Sequence, residues 1–319
     1  MRRAIGRMLG RGESAPPAAP FIVGVGHSGT TLLRMMLDAH PELTIPPETN
    51  FLPDLIDMTK RGDATPDEVV AYLREHRRWG DFGLEPAALL QRMSAGPQPL
   101  TPRRAIRSFY DLYSEKQGKP RWGDKSPRYA QAMVKLNRHL PEARFIHLIR
   151  DGRDVALSKL RKRGDDPEQV RRAAKRWRNR IINARERSPK VAHYTEARFE
   201  ELVTDTEPTL RRLCEFSQLE WDPAILSYHE QSEDRLAEMA AALPAKDGKR
   251  RDAPEEVLRE RRAKRHQLVT EPPSRDRLAV WRQKMTPECL DAFEDEAADL
   301  LADLGYELGT ERPPAGPAS

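Results

Sequence analysis

The segment that most restricts this chain is Gly24-Val25-Gly26-His27-Ser28-Gly29-Thr30-Thr31, directly behind the apolar run Phe21-Ile22-Val23. A short apolar run bounded by turn residues predicts a buried strand. Leu32, Leu33, Met36 and Leu37 then fall on one face of a helix predicted over residues 29–39. His40-Pro41 closes that helix, because the residue before a proline is pushed out of the helical region. A strand, a glycine loop and a helix start in succession make an anion site. The first helical N–H groups have no partner, the helix dipole favours negative charge, and glycines admit close approach of a phosphate.

Three kinds of phosphate compound fit such a loop. Gly24, Gly26 and Gly29 satisfy the dinucleotide fingerprint, and Glu48 lies about twenty residues further on. That acidic residue follows only Leu43-Thr44-Ile45 and a double proline, rather than a full strand. The same glycines resemble a triphosphate loop, but Thr30 stands where a lysine would reach the β- and γ-phosphates. A donor with a single 5'-phosphate needs no such reach; the loop amides and the Ser28, Thr30 and Thr31 hydroxyls suffice.

Further along, helices and strands alternate. Thr65-Pro66-Asp67-Glu68 is a capping box with proline at the first helical position, and Thr101-Pro102 repeats the start signal. Strands are predicted at residues 143–149 and 191–195, helices from Asp151, over 167–187, and from Ser126-Pro127. A last amphipathic helix begins at Thr286-Pro287, with Leu290, Phe293, Ala297, Leu300, Leu301 and Leu304 inward, and Gly305 ends it. This order predicts an α/β fold, a parallel sheet flanked by helices. Residues 1–19 read as a flexible basic arm, 20–310 as the domain, and 311–319 as a disordered tail. Residues 51–118 and 232–274 read as helical or mobile insertions, the latter a solvated pair of helices or a lid.

The 55 Lys and Arg against 50 Asp and Glu leave a net charge of +5, a mild preference for acidic ligands. The basic run from Lys246 to Arg265 is broken by acids and lacks interleaved aromatics, which argues against nucleic acid. Cys214 and Cys289 are far apart and have no companions at metal-ligand spacing, so no metal is expected. Cys214 reads as a core residue. No stretch approaches the ~20 apolar residues of a membrane helix, and a cytoplasmic location is expected.

Residues 26–33, Gly-His-Ser-Gly-Thr-Thr-Leu-Leu, are similar to the 5'-phosphosulfate loop of the sulfotransferases that use 3'-phosphoadenosine 5'-phosphosulfate (PAPS). The run Ser28 to Pro41, followed by Glu48-Thr49, resembles the tyrosylprotein sulfotransferases and their bacterial relatives. Arg150-Asp151-Gly152-Arg153-Asp154-Val155-Ala156-Leu157-Ser158 looks like the 3'-phosphate motif of that family. Arg198-Phe199-Glu200-Glu201-Leu202 is similar to its stretch near the adenine, and residues 274–306 to its carboxy-terminal end.

The resemblance implies a P-loop-like sheet, PAPS as donor, adenosine 3',5'-bisphosphate as product, and no metal. It places Gly26, His27, Ser28, Gly29, Thr30 and Thr31 at the 5' end of the donor, and Arg150, Ser158, Phe199 and Arg275 (or Arg277) towards its 3'-phosphate and adenine. Glu48, in Glu48-Thr49-Asn50-Phe51-Leu52-Pro53, matches the family's base, expected to titrate near neutral in a partly buried site. Lys125, in Trp122-Gly123-Asp124-Lys125-Ser126-Pro127, matches the lysine beside the departing oxygen. The acceptor is a hydroxyl of a small molecule, glycan, lipid or peptide. This chain carries His27 where the family has Lys or Arg, Phe199 where Tyr is common, and Asn50 where the tyrosylprotein relatives have Arg. His40, before Pro41, and His147, within a strand, read as structural. The rivals are a nucleotide kinase, which needs the missing lysine, and a non-catalytic nucleic-acid binder.

Overall fold

Phe21 and Val23 turn to one side of their strand and Ile22 to the other, and both sides are covered. The computed structural model describes residues 16–160, 166–230 and 269–309. The strand, β1 (Ala19–Gly24), lies between β4 (Asp124–Lys125) and β5 (Ala143–Ile149), with β6 (Tyr194–Arg198) outside β5. Every pairing is parallel, with Phe21 opposite Phe145 and Ile22 opposite both Ile146 and Lys125. The period-two alternation continues in β5, where Phe145 joins Phe21 and Val23 while Ile146 and Leu148 join Ile22. A two-stranded parallel sheet, β2 (Leu43–Thr44) with β3 (Arg121–Trp122), stands beside the main one.

One face is roofed by α2 (Leu52–Thr59), α3 (Pro66–Glu75), α4 (Pro86–Ser94), α5 (Pro102–Lys116) and α6 (Met133–His139). The residues read as an insertion are therefore helical and part of the core. Phe51, Phe82 and Phe109 meet edge to face, with Phe109 5.0 Å from each of the others. The Thr65 hydroxyl accepts the Glu68 N–H, and the Glu68 carboxylate accepts the Thr65 N–H, which completes the capping box. The other face is covered by α1 (Thr30–Asp38), α9 (Phe199–Thr204) and α10 (Thr206–Phe216), where Cys214 is buried. A third apolar cluster joins α7 (Gly152–Leu160), α8 (Pro167–Arg187) and α12 (Pro287–Asp303), preceded by the short α11 (Trp281–Lys284). In α12 the predicted inward residues are buried, except Leu290, which is half-buried.

Some boundaries differ from expectation. The strand expected at 191–195 runs Tyr194–Arg198, because an edge strand with half-buried polar residues has no apolar run to mark it. The arm read over 1–19 ends sooner, since Ala18 is buried and Ala19 opens β1. Val269 returns to the core, and the Tyr228 hydroxyl donates to the Glu271 carbonyl at 2.6 Å. Residues 232–268 of that segment, most of the arm and the 311–319 tail lie outside the described residues. No helix among the described residues is long and apolar enough to cross a membrane.

Candidate active site

In a parallel sheet the loops that follow adjacent strands meet at their carboxyl edge. β4, β1 and β5 are neighbours, so the segments after Lys125, Gly24 and Ile149 converge although they are far apart in sequence. The glycine loop turns sharply there. His27 and Gly29 have φ of 75° and 87°, and a Cβ on Gly29 would lie 2.3 Å from the Phe199 ring, so glycine is required at that position. Gly29 caps α1 without any side-chain hydrogen bond to the helix.

The loop has the character of an anion cradle. The Ser28 hydroxyl is buried with no hydrogen-bond partner among the described residues. A Cβ on Gly26 would meet nothing within 4 Å. Thr30 is buried and Thr31 half-buried at the first turn of α1. Donors and space are thus present where a phosphate would sit.

The second half of the site closes on this loop. His27 Nδ1 and Ser158 Oγ, 131 residues apart in the chain, are 3.1 Å apart. The Arg150 guanidinium donates to the carbonyls of His27 at 3.4 Å and Arg277 at 2.6 Å, and stacks over the Phe199 ring at 4.4 Å. Its Nε is buried and makes no hydrogen bond among the described residues, a further donor at the site. Phe199 thus supports both motifs at once, against Gly29 and under Arg150. Arg275 lies exposed in the 3₁₀ turn Arg275–Arg277, and it is the backbone of this turn that reaches Arg150.

Behind Arg150 stands a buried ionic frame that sequence reading missed. Arg153, 1% exposed, donates to both oxygens of Asp151 and to Glu294, and stacks over Trp281 at 3.6 Å. Glu200 accepts the Asp151 N–H at 3.0 Å and the Tyr306 hydroxyl at 2.9 Å. The signal for Glu294 was available: it lies on the apolar face of α12 beside Phe293 and Ala297, where a carboxylate needs a partner.

Glu48 and Lys125 also meet. Lys125, 3% exposed, donates to Glu48 Oε1 at 2.7 Å. Asn50, whose φ of 57° suits asparagine, donates to Glu48 Oε2 at 3.2 Å. This corrects the expected near-neutral titration of Glu48. Burial raises its pKa, but Lys125, Arg78 and Asn50 outweigh burial and hold it down to about 2. Burial lowers the Lys125 pKa, opposed by Glu48. Asp124 does not pair with Lys125; it is fully buried and bound to Thr49 and Tyr110. His40 and His147 make structural contacts, His40 with the Glu220 carbonyl and His147 with the Tyr194 hydroxyl.

A family model, "Sulfotransferase family", matches residues 20–223, which include both motifs and the Glu48–Lys125 pair. The chain belongs to the sulfotransferase family. Protein-tyrosine sulfotransferase A of Caenorhabditis elegans is 27% identical over 304 residues, 93% of this chain and 69% of the relative. Protein-tyrosine sulfotransferase 1 of Homo sapiens is 26% identical over 90% of this chain and 69% of its own length. The solved sulfotransferase domain of the Synechococcus PCC 7002 olefin synthase shares the fold, with a TM-score of 0.59 and 24% identity over 93% of this chain and 98% of that domain. The expectation of a PAPS-dependent sulfotransferase built on a parallel α/β sheet therefore holds at the level of family and fold.

Proposed function

We propose that this sulfotransferase moves a sulfuryl group from PAPS to a hydroxyl acceptor, with the donor held between the glycine loop and the Arg150–Ser158 motif. The observation that carries this reading is the convergence of the two motifs, with His27 on Ser158 and Arg150 on the His27 carbonyl. PAPS supplies a sulfuryl group carried on the bridging oxygen of its 5'-phosphate. The loop amides and the Ser28, Thr30 and Thr31 hydroxyls bind that phosphate, and Arg150 and Ser158 the 3'-phosphate. Phe199 and the Arg275–Arg277 turn flank the nucleoside.

Glu48 takes the acceptor's proton as the new sulfur–oxygen bond forms. Lys125 donates to the bridging oxygen as the old sulfur–oxygen bond breaks, so that the electron pair left on adenosine 3',5'-bisphosphate meets a positive charge. The direct contact of Glu48 with Lys125 supports a coupled action. When Lys125 turns to the departing oxygen, Glu48 loses the charge that depresses its pKa, and burial makes it a better base at that moment.

The curated relatives are named for protein tyrosine, and a tyrosine or other phenolic hydroxyl is the first acceptor to screen. Asn50 engages Glu48 where those relatives place an arginine, which favours an acceptor with less negative charge beside the hydroxyl.

Calorimetric titration tests the donor site. Adenosine 3',5'-bisphosphate should bind far more tightly than AMP, ATP or NAD. Arg150→Ala should weaken it by about 10- to 100-fold, the worth of one or two charge-assisted hydrogen bonds, and leave AMP unchanged. A preference for ATP with Mg²⁺ would instead favour the kinase reading.

A further inference from the structure

Glu48 and Lys125 arrive on segments 77 residues apart, and their mutual distance must be fixed by something beneath them. Their chain neighbours are Thr49 and Asp124, both 0% exposed. The Thr49 hydroxyl donates to Asp124 Oδ2 at 2.8 Å, which ties the Glu48 segment to β4. Tyr110 donates to the same oxygen at 2.7 Å. The Tyr129 hydroxyl lies 2.8 Å from Thr49 Oγ1 and accepts the Leu52 N–H at 3.0 Å, at the first residue of α2. Tyr110 is itself fixed, stacked on Trp122 at 4.3 Å with the rings 11° apart.

The protons in this cluster have one consistent arrangement. Leu52 N–H donates to Tyr129, Tyr129 to Thr49, and Thr49 and Tyr110 to Asp124, so every hydroxyl proton is used and the chain ends on a carboxylate. Such a network holds its members in one geometry, because each loses a buried partner if it moves. Burial pushes Asp124 up to about 6, and the hydroxyls of Tyr110 and Thr49 act against that rise.

We propose that Thr49 and Asp124, braced by Tyr110 and Tyr129, form a clamp that positions Glu48 against Lys125. These are positioning residues: Thr49 and Asp124 are the chain neighbours of the pair, Tyr110 and Tyr129 bind those neighbours, and the clamp acts through them and not on the reacting atoms. The inference rests on the roles assigned above to Glu48 and Lys125. It adds that the distance between base and cation is set by a hydroxyl–carboxylate contact one residue away from each.

The test is carboxyl ¹³C NMR on the full chain labelled at the glutamate side chains, with the Glu48 signal assigned by its loss in Glu48→Gln. Thr49→Val keeps the shape and removes the hydroxyl. It should raise the Glu48 midpoint by about one pH unit or more, as Lys125 and Glu48 are no longer held at contact distance. Thr49→Ser should keep the wild-type midpoint. Tyr129→Phe carries the same expectation as Thr49→Val and serves if that variant does not fold. In transfer assays Thr49→Val should lower kcat about tenfold or more, with KM for PAPS unchanged, as misplacement alone does. An unchanged Glu48 midpoint in the folded variant overturns the clamp. Glu48→Gln and Lys125→Met separate the two claims: if both lose transfer while Thr49→Val keeps midpoint and kcat, only the clamp fails. If both retain transfer, the assigned roles fail with it.

Discussion

Replacing Lys125 by methionine is expected to lower kcat by about 10²- to 10³-fold, the usual loss when one preorganised donor to a developing anion is removed. Affinity for adenosine 3',5'-bisphosphate should fall much less than kcat, because Lys125 contributes one contact to its 5'-phosphate and the proposed 3'-phosphate and nucleoside contacts do not involve it. Methionine matches the buried length of the lysine, whose side chain is 3% exposed, so packing is preserved. The pH dependence makes the experiment more specific. In the wild type Glu48 is held to about 2, so kcat/KM should show no acid limb from this group between pH 5 and 8. Without Lys125, burial is opposed only by Arg78 and Asn50, so the acid limb should move up into that range or towards it. The sign follows from which form is needed. A base must be deprotonated, and removing the cation stabilises its protonated form. Turnover of PAPS with an acceptor drawn from a hydroxyl-compound screen measures both effects. A loss of only a few-fold in kcat with no shift in the acid limb would contradict the role of Lys125.

Arg153→Ala should destabilise the protein by about 3–5 kcal/mol, because it removes the guanidinium that offsets the buried charge of its carboxylate partners. Two charges are affected. Asp151 and Glu294 have side chains 7% and 3% exposed, and the arginine also covers Trp281. Arg153→Lys should restore little, since three donors of one planar fork reach three carboxylate oxygens and an ammonium cannot reproduce that geometry. Denaturant unfolding measures the loss. Donor affinity should fall as well, because Asp151 is the neighbour of Arg150 and Glu294 ties α12 to that corner. A change in stability below about 1 kcal/mol would mean that the frame tolerates the missing charge, contrary to what its burial demands.

Much of this was already present in the chain. The continuous apolar run at Phe21–Val23, the glycines behind it and the 3.6-period stripe of α1 are local patterns, and they dictate a strand, an anion-binding loop and a helix without reference to other segments. The capping box at Thr65 and the Thr286-Pro287 helix start are equally local. The edge strand β6 was displaced by three residues because its half-buried polar side chains owe their placement to His147 and Arg185, residues on other elements. β4 has no apolar run to mark it: two polar residues, Asp124 and Lys125, become a strand only by pairing with β1.

The site divides in the same way. Resemblance to the family picked out Glu48, Lys125, Arg150 and Ser158 from short motifs, since each motif carries its own local geometry. That His27 meets Ser158, that Lys125 depresses the Glu48 pKa, and that Thr49 binds Asp124 are contacts between segments tens to more than a hundred residues apart. The sequence by itself determined the strand–loop–helix that can hold a phosphate and the kinds of side chain available around it. Only the tertiary structure decided which of those side chains touch, because contact is set by the order β4-β1-β5 in the sheet, and charge and burial act over ångströms in space rather than along the chain.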